Sequence, residues 1–74
     1  MLDFKLEHTE FIELNNLLKV TGLCSTGGMA NIVIADGQVK VDGNTERRKR
    51  CKIRAGQVVE FDKQLIIVKA SGTP

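Results

Sequence analysis

The residues with the greatest chemical potential in this chain are the cations clustered at positions 47–54. Six of these eight residues are Lys or Arg, and no Asp or Glu interrupts them. Alternate side chains of a β-strand share a face and lie about 6.7 Å apart, so an extended segment would align four of the cations. The cations expected on that shared face are Arg48, Arg50, Lys52 and Arg54. A row of like charges is unfavourable without a counterion, which predicts a surface for a polyanion such as a nucleic acid.

A short strand pattern precedes the cation cluster and adds one more candidate to it. Residues 38–42 alternate, which places Val39 and Val41 inward and Lys40 outward. The Asp42-Gly43 turn signal then directs the chain toward the cations. The predicted phosphate-binding side chains are therefore Lys40, Arg47, Arg48, Lys49, Arg50, Lys52 and Arg54.

The charge is unevenly distributed along the chain, although the net charge is only +2. Residues 1–36 carry two Lys or Arg against five Asp or Glu, a net charge of −3. Residues 37–74 carry nine Lys or Arg against four Asp or Glu, a net charge of +5. Because a polyanion responds to the local charge of a surface, this polarity also favours one face built for nucleic acid.

A pair of glycines after Ser25 and Thr26 is the second place where an anion could bind. Ser25 or Thr26 is suited to cap a helix that includes Gly27 and Gly28 in its first turn. The free amides of a first helical turn attract phosphate, so Thr26, Gly27 and Gly28 form a candidate phosphate-facing helix start. A tight turn between two helices explains the same residues equally well, and both interpretations stay open.

Residues that could catalyse a reaction or bind a metal are too few to predict an enzyme. Glu7, His8 and Glu10 lie together, but no nucleophile accompanies them and they fit a solvated helix start. A zinc site requires about four ligands, and Cys24 and Cys51 lack a CxxC spacing. We therefore expect no catalysis, no metal, no cofactor and no small-molecule substrate, and we interpret both cysteines as buried free thiols.

The length and hydropathy of the chain favour one small globular domain. The longest apolar runs, at residues 32–35 and 65–68, are far shorter than the roughly 20 residues that span a bilayer. The N-terminal residues show no basic segment followed by an apolar one, so they do not resemble a secretion signal. We expect one domain over residues 1–70, a flexible tail at 71–74, a cytoplasmic location, a monomer and no membrane contact.

Hydrophobic periodicity predicts two helices. Residues 10–20 have helical spacing, and Thr9 is a suitable N-cap for them. A second helix is expected from about residue 26 to residue 36. Its expected apolar face consists of Met29, Ala30, Val33 and Ile34, with Ile32 at least partly covered.

Alternating patterns and turn signals predict the strands. They are expected at residues 3–7, 38–42, 48–54, 58–61 and 65–69. Helices followed by a run of strands predict an α+β fold, in which two packed helices lie against a small, mostly antiparallel sheet.

Several short motifs occur in a fixed order across residues 14–61. A leucine-rich helix ends at glycine, a small-residue helix start follows, and then come Ala-x-x-x-Ile, Gly-x-Val-x-Val-Asp-Gly and Ile-x-x-Gly-x-x-Val. The motif residues are Leu14, Leu18, Gly22, Ser25, Thr26, Ala30, Ile34, Gly37, Val39, Val41, Asp42, Gly43, Ile53, Gly56 and Val59. In this order they resemble the RNA-binding domain named after ribosomal small-subunit protein S-four, also called the alpha-L motif. The short N-terminal strand and the basic cluster RRKRCKI are similar to those of the stand-alone bacterial proteins of the YbcJ type within it.

The resemblance implies a non-catalytic protein that binds structured RNA, with ribosomal RNA among the candidates. Two arginines that the family usually carries, at the start of the first helix and just inside the second, are Glu13 and Gly27 here. We therefore expect the RNA surface to lie at Lys40 and residues 47–54. Because the chain has only three aromatic residues, we expect shape and charge rather than base stacking to dominate recognition. The alternative is a protein–protein adaptor that docks on an acidic partner of the ribosome or of an RNA-modifying complex.

Overall fold

The computed structural model describes residues 1–70, which form two helices and seven strands. In chain order the elements are β1 (Leu2–Lys5), β2 (Phe11–Glu13), α1 (Leu14–Val20), α2 (Gly27–Ala35), β3 (Val39–Val41), β4 (Asn44–Thr45), β5 (Lys52–Arg54), β6 (Val58–Phe61) and β7 (Gln64–Lys69). The predicted α+β class, with two helices and a mostly antiparallel sheet, is confirmed. The tail expected at residues 71–74 lies outside the described residues.

Five strands form the larger sheet, in the order β1-β7-β6-β3-β4. β1 lies at its edge, as predicted, and pairs parallel with β7, whereas the other neighbours pair antiparallel. Two-residue turns join β3 to β4 and β6 to β7. Their central residues, Asp42-Gly43 and Asp62-Lys63, have φ values between 51° and 85°, the left-handed backbone that suits the twist of a two-residue hairpin.

Two further strands, β2 and β5, form a separate antiparallel ribbon. Phe11 lies opposite Arg54, Ile12 opposite Ile53 and Glu13 opposite Lys52. The prediction that residues 10–13 form the first turn of a helix is therefore wrong. Pairing with β5 keeps residues 11–13 extended, so the helix cannot begin before Leu14.

The start of α1 is capped by backbone carbonyls from a distant loop. The amides of Leu14 and Asn15 donate to the carbonyl oxygens of Cys51 and Lys49, each over 2.9 Å. These bonds satisfy donors that a helix leaves free in its first turn, so no side-chain cap is needed, and the prediction that Thr9 caps this helix is wrong. The loop that carries the cations is thereby fixed to the end of α1.

The two helices bury only part of their apolar residues. Leu14, Leu17 and Leu18 of α1 are fully buried, and the helix ends before Gly22, whose φ is 83°. Of the two predicted caps of α2, Ser25 and Thr26, the cap is Thr26, because its hydroxyl accepts a hydrogen bond from the Met29 amide over 3.1 Å.

Sequence analysis assigned too broad an apolar face to α2. Ala30 and Ile34 are buried, one helical turn apart, and they define the face that meets the core. Met29 and Ile32 point away from it and are 48% and 69% exposed. Their predicted burial is wrong because each lies at least about 100° around the helix from Ala30.

One apolar core joins the helices to both sheets. Ile53 of β5 is fully buried in it together with Val39, Ile66 and Val68 of the larger sheet. Cys24 is also buried, whereas Cys51 is only half-buried, and both are free thiols. The interpretation of two buried thiols is correct for Cys24 and wrong for Cys51.

Candidate nucleic-acid interface

The basic segment, residues 47–54, is a turn followed by a short strand. The Cys51 amide donates to the Arg48 carbonyl over 3.1 Å, which closes a turn before β5 begins at Lys52. The predicted continuous strand over residues 48–54 is therefore wrong. The carbonyls of Lys49 and Cys51 are directed at the start of α1, so they cannot form the ladder of a straight strand. Lys52 and Arg54 share an exposed face of β5, but Arg48 and Arg50 lie on the turn.

Two of the cations are paired with carboxylates, which the sequence pattern did not predict. The Arg48 guanidinium donates from Nε to Glu46 Oε2 over 2.9 Å and from Nη2 to Oε1 over 3.2 Å. The Arg48 side chain, with its own amide, lowers the pKa of Glu46 to about 2. Arg50 Nε lies 3.4 Å from Glu13 Oε2. Both arginines remain about three-quarters exposed, so the carboxylates orient the guanidinium groups without covering them.

The other cations of the segment have no carboxylate within 4.0 Å among residues 1–70. They are Arg47, Lys49, Lys52 and Arg54, and all four are exposed. Arg47 packs its guanidinium over Gly37, where a Cβ would lie only 2.6 Å from Nη2. Glycine at position 37 thus allows Arg47 to lie flat against the end of α2.

Three of the predicted cations converge on one open pocket. Arg48, Arg50 and Lys52 line a depression of about 480 Å³ together with Cys51. Burial, followed by the charge of Glu46, raises the pKa of the Cys51 thiol, so the sulfur stays protonated at neutral pH. The pocket is therefore lined by cationic hydrogen-bond donors and an uncharged thiol, which suits a phosphate group.

A hydrogen-bonded chain fixes the far end of β5. The Arg54 amide donates to Gln57 Oε1 over 2.8 Å, and Gln57 Nε2 donates to Asp42 Oδ2 over 3.1 Å. Asp42 Oδ1 also accepts from the Val58 amide, and these bonds, the backbone one first, lower the pKa of Asp42. The turn between β3 and β4 is thereby linked to the strand that carries Lys52 and Arg54.

Lys40 lies on the other sheet. It is exposed on β3, and its neighbours across the strands are Thr45 and Glu60. The predicted outward direction of Lys40 is confirmed, but it does not line the pocket formed by Arg48, Arg50 and Lys52.

The candidate helix start at Thr26, Gly27 and Gly28 lies close to a carboxylate. Thr26 already accepts a bond from Met29, and Gly27 lines a small depression with Glu13, Asn16 and Lys19. Of the charged groups there, Glu13 disfavours a phosphate and Lys19 favours it. The role of this helix start in binding phosphate stays a prediction.

Three residues that were not predicted to be part of this surface also shape it: Phe11, Glu13 and Glu46. The Lys52 ammonium lies 4.9 Å from the centre of the Phe11 ring, and the Arg54 guanidinium lies 5.7 Å from it. Phe11 and Ile12 are residue types that favour strands and were a weak signal for β2, but helical spacing over residues 10–20 obscured it.

The described residues show neither a metal cluster nor a membrane-spanning helix. Within residues 1–70, no group of three or more His, Cys, Asp and Glu side chains is arranged to hold a metal ion. No helix among them has the length and hydropathy to cross a membrane.

The amino-acid sequence is similar to those of bacterial proteins. It is 54% identical over 61 residues to YbcJ of Escherichia coli strain K12, named as a candidate RNA-binding protein, which covers 82% of this chain and 87% of that protein. It is 33% identical over 54 residues to RlbA of Bacillus subtilis strain 168, named as a candidate ribosome maturation protein, covering 73% of this chain and 76% of that protein.

Two solved structures and a family model complete the comparison. The solution structure of Escherichia coli YbcJ, described as having an alpha-L motif involved in RNA binding, matches with a TM-score of 0.74 and 50% identity, covering 95% of this chain and 89% of that one. The 30S ribosomal protein S4e of Thermoplasma acidophilum shares the fold at a TM-score of 0.59 and 24% identity, covering 77% of this chain and 30% of that one. The S4 domain model matches residues 4–69. With nearly its whole length matched and its fold that of the alpha-L motif, this chain belongs to the S4 domain family.

Proposed function

We propose that residues 1–70 form a single, non-catalytic domain that binds structured RNA, acting as a cytoplasmic monomer. The convergence of Arg48, Arg50 and Lys52 on one open pocket carries this proposal. The proposed phosphate contacts are Lys40, Arg47, Arg48, Lys49, Arg50, Lys52 and Arg54. Membership of the S4 domain family and similarity to YbcJ, which is named for RNA binding, support RNA as the polyanion.

The geometry of the pocket suits phosphodiesters better than a single free anion. Arg48 and Arg50 each present a guanidinium that a carboxylate holds in place but leaves exposed. The Arg50–Glu13 pair is exposed on both sides, and such pairs contribute little to stability, so a phosphate can replace Glu13 at small cost. Lys52 and Arg54 extend the charge along β5, which allows successive phosphates of one strand to be contacted.

Ribosomal RNA is the structured RNA that we propose as the first candidate. The support is the similarity to RlbA, which is named for ribosome maturation. Crosslinking the protein to RNA in cells, followed by sequencing of the bound RNA, tests whether ribosomal RNA is the ligand. Enrichment of ribosomal RNA fragments over messenger and transfer RNA is expected, and their absence would restrict the proposal to other structured RNA.

The central test neutralises the two arginines of the pocket without adding a new negatively charged side chain. Arg48→Gln/Arg50→Gln leaves Glu46 and Glu13 in place, and Lys63→Gln/Lys69→Gln removes the same charge from exposed positions outside the pocket and the groove. Affinity for a folded ribosomal RNA fragment is measured across salt concentrations. Each lost phosphate contact lowers the slope of log affinity against log salt by about 0.7 to 0.9, so the first variant should lose about 1.4 to 1.8 and the control less.

An unchanged affinity and salt slope for Arg48→Gln/Arg50→Gln would refute the mapped surface. A protein complex that persists after nuclease treatment and depends on the same arginines would instead support the adaptor alternative.

A further inference from the structure

Phe11 is the aromatic ring on the ribbon, and two cations flank it. The Lys52 ammonium is 4.9 Å from the ring centre and the Arg54 guanidinium is 5.7 Å from it. Both distances are within the roughly 6 Å at which a cation is attracted to the face of a ring. Cross-strand pairing explains the arrangement, because Arg54 lies directly opposite Phe11 and Lys52 lies opposite Glu13 on the same face.

The same ring lines an apolar groove. The groove has a volume of about 750 Å³ and includes Phe4, Leu6, Phe11, Ile12 and Val20 among its lining side chains. This volume falls within the range of about 300 to 1,000 Å³ that small-molecule sites occupy. Val20 is 52% exposed there, so the groove is open to solvent.

Charge is divided between the two sides of the Phe11 site. Asp3, Glu7 and Glu13 are on the groove wall, with Lys5 as the cation among them. Lys52 and Arg54 contact the ring but do not line the groove. One side therefore suits an uncharged group with hydrogen-bond donors, and the other suits an anion.

We propose that Phe11 and its groove hold an unpaired nucleobase of the RNA, while Lys52 and Arg54 contact the phosphates that flank it. This inference rests on the proposed function and narrows its substrate to structured RNA with a bulged or looped-out nucleotide. Amino groups of bases donate to carboxylates, and an exposed Glu7 on the wall offers an acceptor.

A nucleobase fits this site better than a peptide or a second copy of the chain. A nucleotide joins a flat apolar ring to an anion, which is the combination that an aromatic ring flanked by two cations selects. Lys52 and Arg54 would repel a basic peptide, and Asp3 and Glu7 would repel an acidic one. In a regular duplex the bases are stacked inside, so only an unpaired base can reach Phe11.

The test compares two RNA hairpins that differ by one bulged nucleotide in the stem. Phe11→Leu keeps an apolar side chain on β2 but removes the ring, and Phe61→Leu removes a half-buried ring outside the groove. Stacking of one base on an aromatic side chain corresponds to a change of at least about 5-fold in affinity. The wild-type protein and Phe61→Leu should prefer the bulged hairpin by at least that factor, and Phe11→Leu should bind both hairpins with the same affinity and an unchanged salt slope.

Nuclear magnetic resonance of the ring protons supplies a second readout. The bulged hairpin should shift the Phe11 ring signals upfield by stacking, and the uninterrupted hairpin should not. Equal binding of the two hairpins by the wild-type protein, or a preference that Phe11→Leu retains, would overturn the inference while leaving RNA binding intact. Groove signals that respond to protein concentration alone would assign the groove to self-association and also overturn it. Failure to bind either hairpin would refute the proposed function itself.

Discussion

The five-stranded sheet and the β2–β5 ribbon are built from the same kinds of residue but differ in strand length and in the groups that their exposed cations contact. In the larger sheet, two-residue turns set the register, and a Lys69–Asp3 ion pair joins the two strands at one edge. In the ribbon, each strand has three residues, and Lys52 and Arg54 contact a ring rather than a carboxylate.

This difference separates stability from binding. The larger sheet supplies most of the buried strand residues, whereas the ribbon is anchored to the core by Ile53. Its opposite face remains free to contact a partner, because folding does not require Lys52 or Arg54 to be paired. One buried side chain, Ile53, thus holds β5 in position although the cations of that strand are exposed.

The largest effect is expected when that anchor is removed. Ile53→Ala should lower the free energy of unfolding by about 2–5 kcal/mol, because it leaves a cavity in the shared core. Ile67→Ala, at a half-buried position of β7, is the matched control and should lose less. Urea unfolding measures both, and equal losses would contradict the role of Ile53 as an anchor.

The next largest effect is expected on RNA affinity, and it compares the cations of β5 with Lys40 on β3. Lys52→Gln/Arg54→Gln should weaken binding to a folded ribosomal RNA about 10-fold or more, with a salt slope lower by about 1.4 to 1.8. Lys40→Gln, on the larger sheet beside Glu60, should weaken it less than 3-fold, about 0.6 kcal/mol. A larger loss for Lys40→Gln in filter binding would place the RNA on the larger sheet instead.

A smaller effect is expected from the acid side of the Glu46–Arg48 pair. The pKa of Glu46 falls from 4.5 to about 2 in the folded protein. The pair therefore stabilises the fold fully above pH 4.5, and this contribution disappears as the pH falls toward 2. Glu46→Gln should be less stable at neutral pH and should lose less stability between pH 4.5 and pH 2.

Thermal unfolding across that pH range checks this prediction, with Glu10→Gln on an exposed loop as the control. An acid dependence of Glu46→Gln as steep as that of the wild-type protein would show that other carboxylates control it.

The smallest effect is expected at the start of α2. A Cβ at residue 28 would meet only the Thr26 hydroxyl, at 3.8 Å, so Gly28→Ala should stabilise the protein by up to about 1 kcal/mol. Because Glu13 is close to the neighbouring Gly27, we expect RNA affinity to stay unchanged. A clear loss of affinity with no loss of stability would instead indicate that phosphate contacts these amides.

Local patterns were sufficient for much of the fold. Helical spacing of Leu14, Leu17 and Leu18 predicted α1. Alternation around Lys40 predicted β3, and the Asp42-Gly43 signal predicted the turn that follows it. They succeeded because the governing interactions act between residues a few positions apart: the helical and strand periods, and the backbone preferences of turn residues.

Long-range contacts explain the failures. Residues 10–13 have a helical pattern, but pairing with residues 52–54 holds them extended. The basic segment has a strand pattern, but two of its carbonyls accept the first amides of α1. In each case a segment about 40 positions away supplied hydrogen bonds that local propensity could not reveal.

The amino-acid sequence by itself determined the charge polarity of the chain and its α+β class, and it predicted which cations would form a nucleic-acid surface. The tertiary structure alone decided which cations face a carboxylate, which converge on a pocket and which flank Phe11. The physical reason is distance: charge and stacking interactions act over a few ångströms in space. Glu46 is two residues from Arg48 in the sequence, but only the folded chain brings Glu13 and Phe11 that close to residues 50–54.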